Sequence, residues 1–139
     1  MLPIVVALAA TVVLLVWMGF FMMGSLPLLV LKHDTPLDAR FIRGLFNVYY
    51  VAVTLTAAAA ALSYVWSGKF VFALGAALIG ALAFALRGWF IIPRMDALRG
   101  SIPEANASIL EFRRLHIAGM LINVAQLAMV AWALTQLGI

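Results

Sequence analysis

The chain has 139 residues, 67% of them hydrophobic and only 10% charged, with a net charge of +4 and no cysteine. A mean hydropathy of +1.16 sets it apart from soluble domains, in which about 45–50% of residues are apolar. The missing thiols exclude disulfides, thiolate metal sites and iron–sulfur clusters, and the basic residues stand beside apolar runs, where they act as topology signals rather than nucleic-acid contacts.

Residues 2–31, 44–68, 70–86 and 115–139 contain no Lys, Arg, Asp or Glu. A hydrocarbon core of about 30 Å is crossed by roughly 20 apolar residues at 1.5 Å rise each. With no water there, each run must satisfy its own backbone groups as α-helix. The expected fold is therefore all-α: an integral membrane four-helix bundle, antiparallel, in a single domain over residues 1–139. Its helices are expected at approximately 3–31, 44–67, 70–98 and 102–138.

The first helix opens at Pro3, whose fixed φ and missing N–H suit a first turn. Gly24, Ser25 and Pro27 offer a place to bend, and no cleavable signal peptide is expected. Trp17, Met18, Phe20, Phe21, Met22 and Met23 make its centre bulky, as packing and lipid contact require. In the first connection, Leu37–Arg43 has the pattern of an interfacial turn leading into the second helix. That helix carries Asn47, Tyr49 and Tyr50 near its start and Trp66 at its far end. Ser67-Gly68-Lys69 is short enough only for a tight turn.

In the third helix Ala73, Ala77, Ala81 and Ala85 recur every four residues, with Gly80 and Gly88 beside them, a small-residue face expected to pack against the second or fourth helix. It is expected to continue past Pro93 toward Leu98, with Gly100 as C-cap. Ser101-Ile102-Pro103-Glu104 matches a capping box, which would start the fourth helix in the cytoplasm. The result would be a cytoplasmic extension of the third–fourth helical hairpin.

Lys32, Arg40 and Arg43 mark the first connection, and Arg87, Arg94, Arg99, Arg113 and Arg114 the third; Lys69 alone marks the second. The excess of eight against one places residues 32–43 and 93–114 in the cytoplasm and both termini outside. The expected location is a bacterial inner (cytoplasmic) membrane.

Polar groups inside a membrane are costly and usually face the bundle interior. His116, Gly119, Asn123, Gln126 and Val130 follow three- or four-residue spacing along one face of the fourth helix. That stripe reads as interhelical glue or as part of a polar pocket. With it, Asn47, Arg43 and Arg94 complete the ligand-pocket candidates. His33 and His116 are the only histidines and the weak candidates for a metal or haem b site; the expectation is no metal and no cofactor. His33, between Lys32 and Asp34, is expected to be solvated, and His116 to donate to a carbonyl or carboxylate at the helix mouth, with Glu111 or Asp38 as candidate partners. Arg87 reads as a snorkelling side chain. No Ser-His-Asp set, HExxH zinc motif, phosphate loop or mid-membrane carboxylate occurs, which argues against hydrolysis, phosphoryl transfer and proton pumping.

Gly44-Leu45-Phe46-Asn47-Val48-Tyr49-Tyr50, Ile92-Pro93-Arg94-Met95 and Phe112-Arg113-Arg114-Leu115-His116, with Asn123 beyond, resemble in order an uncharacterised family of four-helix membrane proteins. Its eukaryotic members are linked to cisplatin resistance. The resemblance implies four spans, marks His116, Asn123, Pro93 and Arg94, and brings no established catalytic activity. Arg43 and Asn47 resemble membrane-associated glutathione transferases, with Tyr50 where that family carries an acid. Trp17, Pro27 and His33 resemble four-helix membrane protoporphyrinogen oxidases, whose early first-helix histidine and C-terminal polar motif have no counterpart here.

These observations lead to a non-catalytic membrane protein, either an accessory subunit of a membrane complex or a binder of a lipophilic small molecule. The alternative is a small membrane enzyme or carrier whose cytoplasm-facing pocket uses His116, Asn123 and Arg43 for haem, quinone or thiol-conjugate chemistry. Expected partners are the lipid bilayer and other membrane subunits or a second copy, with no nucleic acid.

Overall fold

A computed structural model describes residues 1–102 and 104–137. Every regular element among them is helical: α1 (Leu2–Leu28), α2 (Pro36–Trp66), α3 (Phe70–Ala85), a π-helical turn (Leu86–Phe90), α4 (Ile91–Arg99) and α5 (Asn106–Thr135). The segment Phe70–Arg99 runs on as one long helix, so four helices are each long and apolar enough to cross a membrane.

Local chemistry sets the boundaries. α1 ends at Leu28, short of the expected residue 31, one residue after Pro27; Leu29, Val30 and Leu31 continue in tight turns to Leu26, Pro27 and Leu28 carbonyls. α2 begins at Pro36 rather than at residue 44. Thr35 caps it by accepting from the Asp38 amide at 3.1 Å, Pro36 stands in the first turn, and Asp38 faces the positive helix end. The turn foreseen over Leu37–Arg43 is thus continuous with α2. At the other end, the Lys69 amide bonds Tyr64 O at 2.8 Å and the Gly68 amide bonds Val65 O at 3.0 Å, a Schellman closure. Gly68 has the φ of +75° that this closure requires.

The expected capping box does not form. α5 starts at Asn106 behind Ala105, with no side-chain cap, and Ser101–Ala105 is held by a backbone bond from the Ala105 amide to Ser101 O. Pro103 of that motif, like the expected fourth-helix end at Gly138, lies outside the described residues. Gly100 follows α4 at the C-cap position with right-handed backbone.

α1 packs on α2 and α5, and α2 also receives α3 and α4. The π turn is where the third long helix changes neighbours: α3 packs on α2 without closing onto α5, whereas α4 packs on both α2 and α5. It places Pro93 in the first turn after the switch, where its missing N–H leaves little of the helix ladder unpaired. The α3 surface buried on α2 is Ala73, Ala76, Gly80 and Ala83; Ala73 and Gly80 of the expected face lie in it, whereas Ala77 and Ala81 are exposed. A strict four-residue step drifts about 40° per repeat on a helix of 3.6 residues per turn, so the row leaves the contact. Gly80 is the point of closest approach: a Cβ there would stand 3.2 Å from the Ala57 Cβ.

The main core gathers Leu14, Met18, Phe21, Ile42, Phe46, Tyr49, Tyr50, Val53, Ile92, Met95 and Phe112; a smaller cluster holds Ala7, Ala60, Tyr64, Ala73, Ala76 and Leu137. The outer surface is no less apolar. Val16, Phe20, Leu55, Leu62, Leu74, Leu121, Met129 and Trp132 are all exposed. An apolar surface of that extent marks contact with a non-aqueous medium or with other chains.

Candidate functional sites at the two ends of the bundle

His33 and His116 meet. Their Nε2 and Nδ1 atoms lie 2.9 Å apart, and both side chains are fully buried. The expectation that His33 is solvated and that His116 pairs with Glu111 or Asp38 is therefore corrected. The cause is Arg113, whose guanidinium donates to Leu29 O, Leu31 O and His33 Nδ1, each at 2.9 Å. A planar fork with five donors suits three acceptors at once. It ties the chain after α1 down onto α5. His33 itself adopts φ +60°, a left-handed conformation that histidine tolerates better than a β-branched residue does.

The proton positions follow. Arg113 can only donate, so His33 Nδ1 accepts and neutral His33 carries its hydrogen on Nε2. His33 then donates to His116 Nδ1, which leaves the His116 hydrogen on Nε2. That atom has no hydrogen-bond partner among the described residues. Burial first, and the Arg113 charge second, push the His33 pKa below its ordinary 6.5, with Asp38 and Asp34 opposing.

The α5 stripe is the buried face of that helix: Phe112, His116, Gly119, Met120, Asn123, Gln126 and Val130. Gly119 is a notch for the Phe46 ring. A Cβ there would stand 2.8 Å from Phe46 Cζ and closer still to Cε2. Phe46 lies edge-on to His116 with centroids 5.5 Å apart and to Phe21 at 4.9 Å, and Phe21 stacks on Tyr49 at 4.1 Å. Asn123 donates to Tyr49 Oη at 2.8 Å and to Met18 O at 3.3 Å, linking α5 to α2 and α1. Ser25 Oγ, Tyr50 Oη, His116 Nε2 and Asn123 Oδ1 form no hydrogen bond within the described residues. This region is filled by aromatic rings.

The other candidates lie apart from the stripe. Arg43 forms a bidentate pair with Asp96 at 3.0 and 3.2 Å, which Arg99 also approaches at 3.4 Å. Arg94 pairs with Glu111 at 2.7 and 2.8 Å. These partly exposed bridges fasten α4 to α2 and to α5. Asn47 accepts from Arg87 Nε at 2.9 Å, so Arg87 is held by a side chain rather than by snorkelling alone. Gln126 is buried on the α5 face. No group of three or more His, Cys, Asp or Glu side chains converges among the described residues. The histidine pair supplies two nitrogens already in mutual contact, beside a guanidinium.

The open space is elsewhere. At the end bearing Lys69, where α3 and α5 diverge, lies a cleft of about 500 Å3. Thr11 and Leu14 of α1, Ala60 and Tyr64 of α2, Phe72, Gly75, Ala76 and Ile79 of α3, and Val130 and Ala133 of α5 form its walls, with Gln136 beyond the end of α5. No charged side chain lines it. Its wall carries a hydroxyl pair, Tyr64 Oη and Thr11 Oγ1, 2.7 Å apart, and Thr11 donates onward to Ala7 O at 2.8 Å. Sequence reasoning missed this cleft. The only signals were Thr11, one of two hydroxyl residues in the first uncharged run, and Gly75, a side-chain gap on α3. None of the six expected pocket residues lines it.

No family model, no curated protein and no solved structure matches this chain.

Proposed function

We propose that the chain is a four-span, antiparallel membrane protein that binds a neutral lipophilic small molecule in the cleft between α3 and α5. The carrying observation is the cleft itself: about 500 Å3, walled mostly by apolar side chains, with one hydroxyl pair, the Trp132 indole, the Gln136 amide and no charge. Small-molecule sites typically enclose about 300–1,000 Å3 of mostly apolar wall with a few polar groups. The charged end, with eight of the nine basic residues, faces the cytoplasm in this reading. The cleft then opens toward the outer half of a bacterial inner membrane. The resemblance to the four-helix family linked to cisplatin resistance accords with four spans. No catalytic role is assigned, because His116 and Asn123 are sealed in the core while Arg43 and Arg94 are engaged in surface ion pairs.

Gly75→Leu tests the reading. Gly75 lines the cleft and a Cβ there meets nothing within 4 Å, so a leucine is expected to take up cleft volume. Protein purified in nanodiscs and analysed by native mass spectrometry is expected to retain a lipophile that the variant has lost, at unchanged thermal stability. Equal lipophile content in the two proteins would sink the proposal.

A second reading, an accessory subunit of a membrane complex, draws on the groove on the outer side of α2 and α3. Ala58, Ala61, Gly80 and Ala81 line it, and small residues admit the close approach of a partner helix. A stoichiometric partner protein recovered in native extraction would favour it.

A further inference from the structure

The groove on the outer side of α2 and α3 leads to a cation. It encloses about 640 Å3, and Ala58, Ala61, Ala77 and Ala81 give it a flat floor. Phe84 and Trp89, edge-on with centroids 5.7 Å apart, wall its end nearer the charged connections. Thr54 brings the one hydroxyl of the lining, and its hydrogen goes to Tyr50 O at 2.7 Å. One turn beyond Phe84 and about two turns before Thr54, Arg87 meets Asn47 across the same two helices. Arg87 follows directly on the uncharged run 70–86.

Its Nε donates to Asn47 Oδ1 at 2.9 Å. A guanidinium can only donate, so this bond turns the amide oxygen toward Arg87 and leaves the amide N–H groups over. Those, and the remaining guanidinium N–H groups, have no partner among the described residues, and no carboxylate there forms an ion pair with Arg87. The Trp89 indole N–H is a further donor. The neighbouring cluster on α2 and α4 puts two cations, Arg43 and Arg99, on the single carboxylate of Asp96, so it supplies no spare anion. A positive, donor-rich point therefore stands at the end of an apolar trough.

We infer that the trough seats one acyl chain of an anionic phospholipid, whose phosphate oxygens accept from Arg87 and Asn47. A guanidinium fork matches phosphate in shape as well as in charge. Between Asn47 and Ala61, α2 rises about 21 Å, against about 15 Å for half of a hydrocarbon core, so the trough carries a chain through its own leaflet. A zwitterionic headgroup would add an ammonium that no free carboxylate here balances. A second copy docked by this face about an axis along the membrane normal would bring its own Arg87 to the same depth, like charge against like. The inference rests on the chain spanning a bilayer and is independent of the cleft between α3 and α5.

The test is lipid retention by the full chain in nanodiscs of equal phosphatidylglycerol and phosphatidylethanolamine, read by native mass spectrometry after gentle release. Wild type is expected to retain phosphatidylglycerol about fivefold over phosphatidylethanolamine, equivalent to about 1 kcal/mol for one basic residue. Asn47→Asp keeps the side-chain size and sets a carboxylate against the guanidinium; the preference should vanish. Ala81→Leu fills the floor and leaves the cation; retention of phosphatidylglycerol should fall. Arg114→Gln removes an exposed cation from α5, which does not line the groove, and should leave the preference as it is. Equal retention of the two lipids by wild type overturns the inference, and so does a preference that survives Asn47→Asp. Loss of the preference in Arg114→Gln overturns it in favour of a general surface field, and undiminished retention in Ala81→Leu removes the chain from the trough. A stoichiometric protein partner that Ala81→Leu displaces would give the groove to a helix instead. Each of these failures leaves the four spans and the cleft as they stand.

Discussion

The two ends of this bundle solve the same packing problem in opposite ways. At the charged end α4 closes against α5, Phe46 fills the notch at Gly119, and Arg113 nails the α1–α2 connection onto α5 with three hydrogen bonds. At the other end α3 stays with α2 and leaves α5, and an apolar cleft opens between them. The π turn at Leu86–Phe90 separates the two regimes within one helix. Polar side chains do not by themselves make a site. The end rich in His, Asn and Arg spends those groups on joining helices, and the end nearly bare of them keeps the space.

If that contrast is correct, the closed end should be intolerant of added volume and the open end indifferent to it. Gly119→Ala is expected to lose about 1–3 kcal/mol, as overpacked cores do, because the Phe46 ring has to move. Phe46→Leu in the same chain should recover part of that loss in a double-mutant cycle. Thermal unfolding of Gly119→Ala indistinguishable from wild type would show that the ring is not seated there. Gly75→Leu, with open space around its Cβ, is the counterpart and should change the midpoint little.

Arg113→Lys comes next. An ammonium cannot span three acceptors in the geometry of a guanidinium fork, so the Leu29–His33 connection should loosen while the helices persist. Amide exchange in that segment is expected to quicken about tenfold, equivalent to about 1.4 kcal/mol of local stability. Unchanged exchange there would mean that the connection is held by something other than Arg113. Asn123→Ala should cost less, about 0.6–1.7 kcal/mol, the range of interhelical hydrogen bonds in membranes. Its measurement is reversible unfolding in mild detergent, and a loss above about 3 kcal/mol would point to a larger network than the two bonds seen.

What the sequence disclosed divides along the same line. Helix number followed from uncharged lengths, since the absence of charge over a span is a local property. The buried face of α5 was legible because His116, Gly119, Asn123, Gln126 and Val130 keep the period of a helix that faces one core throughout. The contact of His33 with His116 was hidden, because it joins residues 83 apart through a loop turned by a left-handed backbone. The small-residue face on α3 was legible only in part, at Ala73 and Gly80, because the alanine row's period of four is not the period of the contact. The start of α5 misled for a chemical one: Ser101 and Glu104 have the capping spacing, yet the backbone there closes a turn before the helix begins. The cleft left almost no trace, since it arises where two helices distant in sequence fail to meet.

The smallest expected effect is a pH dependence confined to the closed end. His33 faces Arg113 and His116 from α5 and is influenced by Asp38 and Asp34 from its own connection and the start of α2. Burial, then the guanidinium, hold its folded pKa below 6.5. The unfolded chain therefore takes up a proton before the folded one does as pH falls. Stability should be fully present above about pH 6.5 and decline below it, by no more than about 1.4 kcal/mol per pH unit for one site. Protonation also removes the Nδ1 lone pair that Arg113 uses, so the connection should release first. In His33→Asn the group is gone, while asparagine still tolerates the positive φ. Its unfolding midpoint between pH 7.5 and 5.5 should vary less than that of wild type. A wild-type midpoint that holds between pH 7.5 and 5.5 would show that folding does not lower the His33 pKa, and one that rises would show that folding favours proton uptake; either outcome overturns the prediction.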